Sequence, residues 1–144
     1  MWADTLLAAE HAHLARLALW AMASLLTGTA LLAGLRVRRR ASPLLDHFAL
    51  QVAAWGAIDL LLAWAARGSL ALRDFGSARS LERFLWLSTG LDAGFVAVGV
   101  TLAAAGWMLG RRLGAVGAGV GIVVQGLALL VLDLHLATQL AALV

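Results

Sequence analysis

The chain has 144 residues, 62% hydrophobic and 13% charged, with a mean hydropathy of +0.91. Buried helices of soluble proteins tolerate about 10–14 consecutive apolar residues, and the longer runs here exclude an ordinary soluble fold. The formal net charge of +3 comes from Arg in short loops, which supplies no clustered basic face for nucleic acid, and the absence of Cys excludes disulfides, thiolate metal sites and cysteine nucleophiles.

In chain order, Met1 to His13 is a short polar–apolar lead carrying Asp4, Glu10, His11 and His13, followed by an apolar span at about 14–35. The chain begins acidic rather than basic, and its apolar stretch is too long for a signal-peptide core, so a retained membrane helix is expected. After Arg36 to Arg40, Ser42 and Pro43 read as the N-cap and first position of a second helix, about 43–66. Arg67 to Ser80 is polar and rich in Ser and Gly, which predicts a connector at the membrane surface. A third helix at about 81–109, a tight turn at Gly110-Arg111-Arg112 and a fourth helix at about 113–140 complete the chain. The expectation is an all-α transmembrane four-helix bundle, one domain over residues 1–144, with both termini and the connector on one face and the Arg-rich turns on the other.

Six Arg flank the turns and five lie on the termini face, where Asp4, Glu10, Asp74 and Glu82 dilute them. The positive-inside rule then favours turns inside and termini outside, and the setting expected is the cytoplasmic (inner) membrane of a bacterium, crossed several times.

Buried polar residues are the informative positions, because a charge at the centre of a membrane helix costs about 2.5–3.5 kcal/mol and needs a reason to be there. His47, Gln51, Trp55 and Asp59 recur every fourth residue in the second helix; Ser88 and Asp92 share a face of the third; Gly117, Gly121, Gln125 and Asp133 line the fourth. The cheapest arrangement turns these stripes toward one another. It predicts an intramembrane polar cluster of Gln51, Trp55, Asp59, Ser88, Asp92, Gln125 and Asp133, with Gln125 or Ser88 as partner of Asp92. Gly117-x-x-x-Gly121 matches the small-residue contact pattern of membrane helices and is the expected face for a second copy or a membrane partner. Trp2, Trp64 and Trp107 read as interfacial anchors, and Trp20, Trp55 and Trp86 as core.

His47 and His135 are the candidates for a ligand or cofactor. They lie on the order of 30 Å apart along their helices and cannot share one haem iron. No Glu-x-x-His pair, serine elbow, phosphate loop or zinc-protease helix occurs. No catalytic residue, metal or cofactor is therefore expected.

The run from Leu81, L-E-R-F-L-W-L-S-T-G-L-D-A-G-F, and the run from Gly119 to Asp133 resemble a family of small, uncharacterised bacterial four-helix membrane proteins. Its members carry similar N-x-G-L-D-x-x-Y and Q-G-x-x-L-x-x-x-D segments. Ser88 here takes the place of the Asn and Phe95 that of the Tyr. The resemblance covers about Asp46 to His135, with Gln51, Trp55 and Asp59 matching a third segment. It implies the four-helix fold and the choice of polar positions, and it supplies no activity. The function expected is a non-enzymatic binding, accessory or scaffold protein whose polar cluster opens to one face; the alternative is a small, dimeric proton- or solute-transporting bundle. The lipid bilayer is the one partner common to both.

Overall fold

The computed structural model describes residues 1–143. Four helices account for nearly all of them: α1 (Trp2–Val37), α2 (Pro43–Arg67), α3 (Phe75–Met108) and α4 (Leu113–Ala141). Each is long and apolar enough to cross a membrane. At 1.5 Å per residue, α1 (36 residues) and α3 (34 residues) are about 54 and 51 Å long, well beyond a hydrocarbon core of about 30 Å.

Both long helices begin earlier than their apolar spans. In α1 the polar lead is itself helical from Trp2, and Asp4 in the first turn complements the helix dipole. The expected connector of residues 67–80 is shorter than its Ser and Gly content suggests, because Asp74 caps α3. Its carboxylate accepts from the Ser77 amide at 2.7 Å and from the Ser77 hydroxyl at 2.6 Å. Those two bonds hold the Asp74 carboxyl below the usual carboxylate range. One turn on, Arg79 donates to Glu82 at 3.0 Å. The other ends follow the expected chemistry. Ser42 accepts from the Leu45 amide at 3.4 Å ahead of Pro43, and Gly110, at φ +85°, closes α3 in a left-handed turn where the Arg112 amide reaches the Gly106 carbonyl at 2.7 Å.

The chain folds as two antiparallel hairpins, α1–α2 and α3–α4, joined along α2 and α4, which run parallel. Helix α1 also meets α4, whereas no Cα of α1 or α2 lies within 8 Å of one in α3. Helix α4 is therefore the element whose backbone packs closely against all the others. Its glycines make that possible. A Cβ at Gly117 would strike the Leu44 carbonyl of α2, and one at Gly119 would sit 2.5 Å from the Gly99 carbonyl oxygen of α3. Glycine brings the backbones into contact on both sides, the packing available to helices that gain nothing from hydrophobic burial in lipid.

Two expectations change here. The Gly117/Gly121 face is filled by α2 of the same chain, so a second copy or partner would have to use another surface. Trp86 is 51% exposed on the outside of α3, because only the α4 backbone approaches α3 closely and most of its circumference faces outward. Toward the termini, Leu6, Ala78, Leu85, Leu136, Ala137 and Leu140 form a buried apolar cluster drawn from α1, α3 and α4.

Candidate functional site

Counting along each helix from its turn-side end, at 1.5 Å per residue, puts Gln125 at about 18 Å, Asp59 and Asp92 at about 24 Å, Asp133 at about 30 Å and His13 at about 36 Å. These side chains come from all four helices and form a rising series toward the termini face.

At the lower end, Gln125 Nε2 donates to Asp59 Oδ2, and both residues are only 2% exposed. This bond crosses the parallel α2–α4 seam. Asp92 is 4% exposed, and its Oδ2 finds no hydrogen-bond partner among the described residues; neither does Gln125 Oε1. Gln125 was expected to bond Asp92 and bonds Asp59 instead. The reason is the helical rotation of about 100° per residue: Gln125 faces α2, and the next residue, Gly126, is the one that backs onto Asp92, whose carbonyl oxygen lies 3.1 Å from a Cβ built there. Ser88 is half-buried and makes no side-chain hydrogen bond among the described residues. Asp133 lies within electrostatic reach of both Asp59 and Asp92. Above it, His13 Nε2 of α1 stands 3.6 Å from Asp133 Oδ1.

The other expected positions are arranged around this series. Trp55 packs edge-to-face on Phe95, with centroids 5.1 Å apart at 67°. The crevice between them and Ile122, Gln125, Gly126 and Leu129 has no water-sized space. Gln51 is half-buried against Gly121. His47 is exposed near the turn end, its Nδ1 2.8 Å from the Pro43 carbonyl oxygen and its ring against Gly114. His135 is exposed near the opposite end. The fold thus bonds Gln125 to Asp59, buries Asp92 without a partner for its Oδ2 among the described residues, and leaves the two candidate histidines far apart. Among the described residues, no three His, Asp or Glu side chains converge on a point that would hold a metal.

Two features escape the sequence reading. Glu10, 5% exposed, takes a bidentate pair of bonds from the connector's Arg73, Nε at 2.7 Å and Nη2 at 2.8 Å. That carboxylate holds the Arg73 guanidinium above its ordinary value. His13, 7% exposed, joins the series through Asp133. The i, i+3 spacing of Glu10 and His13 puts both on one face of a continuous helix, and that was the signal available.

What fold and site define is a four-helix protein built for a bilayer, with carboxyl and amide groups held between its helices. The chain belongs to a family of unknown function, DUF6992, which matches residues 16–134. No curated protein and no solved structure matches it.

Proposed function

We propose that this chain is a non-enzymatic integral membrane protein of the bacterial cytoplasmic membrane. It serves as a binding or accessory protein whose intramembrane polar cluster of Asp59, Asp92, Gln125 and Asp133 opens to the termini face alone. The observation that carries this is the pair of buried acceptors without partners, Asp92 Oδ2 and Gln125 Oε1. An unsatisfied acceptor within hydrocarbon costs about 2–7 kcal/mol, so a donor brought from outside the chain gains much of that back on binding. The donor belongs to a small ligand or to a partner's side chain.

Closure on the turn side supports binding over conduction. Beside Gln125, Trp55 and Phe95 there is no water-sized space, and on the turn side of them the backbones at Gly117 and Gly119 leave no gap against α2 and α3. A conducting path needs continuous water and a carboxylate that changes partner. The test is proton and solute flux in proteoliposomes under an imposed gradient, wild type against Asp92→Asn. The expected result is no flux above empty liposomes for either protein. Flux that appears with wild type and vanishes with the Asn variant overturns the binding reading in favour of the transporting bundle.

A further inference from the structure

A second site lies beside the polar series. Under the connector, in the space left between the separated backbones of α1 and α3, is a cavity of about 260 Å³. Its walls are apolar, with Leu14, Leu70, Leu81, Phe84 and Leu136 among them, and its polar groups are Glu10, His13, Ser69 and Arg73. Phe84 is 62% exposed on the outer side of α3, so the walls continue toward the surface that faces lipid.

The chemistry of these polar groups is selective. Glu10 and Arg73 neutralise each other through two bonds, which disfavours a charged group of either sign beside them. His13 turns Nε2 toward the Asp133 carboxylate, 3.6 Å away, and a neutral ring that carries its proton on that side has Nδ1 as an acceptor. That Nδ1 is buried and has no partner among the described residues. Arg73 spends Nε and Nη2 on Glu10, leaving Nη1 as a donor. A hydroxyl is a neutral group that can donate to the one and accept from the other.

We propose that this cavity binds the head of an uncharged, hydroxyl-bearing amphiphile, such as a long-chain alcohol, whose hydrocarbon tail leaves between α1 and α3 into the bilayer. The site goes beyond the Asp59–Asp92–Gln125 cluster and touches it only through the His13–Asp133 contact.

The test uses the full chain in lipid nanodiscs and a diazirine-bearing analogue of 1-decanol, with cross-links mapped by mass spectrometry. Labelling is expected to concentrate on Leu14, Leu81, Phe84 and Leu136. Unlabelled 1-decanol should compete at about tenfold lower concentration than decyl methyl ether, which cannot donate, the factor expected for one hydrogen bond. His13→Leu should erase that difference, and Ala66→Trp, which fills the cavity from its α2 wall, should abolish the labelling at unchanged elution volume. The wild-type map and competition require no variant to fold. Labelling spread evenly over the lipid-facing surface, equal competition by alcohol and ether, or stronger competition by decanoate overturns the proposal.

Discussion

Asp59 and Asp92 stand at the same height, yet their side chains are in opposite situations. Asp59 accepts from Gln125, so Gln125→Leu removes a bond and leaves a buried carboxyl unsatisfied; a loss of about 1–2 kcal/mol is expected, the upper range for interhelical bonds in membranes. Asp92 Oδ2 has no such bond to lose. Asp92→Leu should therefore leave thermal stability in detergent unchanged or raise it, while Asp59→Leu lowers it. A stability loss in Asp92→Leu as large as in Asp59→Leu would show that Asp92 has a structural partner. The contrast has a functional meaning too, because a carboxyl kept in the interior without stabilising it is one available to something else.

At the scale of the helices, the glycines divide into those that meet another backbone and those that do not. Gly117→Ala drives a methyl into the Leu44 carbonyl and should cost about 1–3 kcal/mol as α2 is pushed off α4. Gly94→Ala meets nothing within 4 Å and should be neutral or stabilising by up to about 1 kcal/mol through helix propensity. Comparing the two by thermal unfolding in detergent checks the α2–α4 seam directly. This seam also marks where sequence stops being informative. Four apolar runs, the Ser42-Pro43 cap and the Gly110 turn are legible because local chemistry makes them, and Asp59, Asp92, Gln125 and Asp133 stand out because each interrupts an apolar run. Neighbours are another matter. Gly117 and Gly121 face α2 while Gly119 faces α3, and a helix with glycine on two sides carries no local sign of which partner takes which. The pairing of Gln125 with Asp59 rather than Asp92 follows from that choice. His13 and Glu10 were hidden for a simpler reason: a polar lead reads as the outside of a helix, although here the helix continues through it.

For the whole molecule, an even number of crossings puts both termini on one side and the two Arg-rich turns on the other. Cysteines introduced at the exposed positions Ala41 and Ala71 should react with an impermeant maleimide from opposite sides of the membrane. Labelling of both from one side would refute four crossings. The central place of α4 bears on how such a protein is made. The ribosome releases this helix last of the four, yet it is the one whose backbone packs closely on α3, and Asp59 finds its amide only on α4. The α1–α2 hairpin can close as soon as it emerges, but until Leu113 and the residues after it enter the membrane, Asp92 faces lipid at a cost of about 2.5–3.5 kcal/mol. A chain halted before that point leaves two acids, Asp59 and Asp92, without the helix that shields them from hydrocarbon.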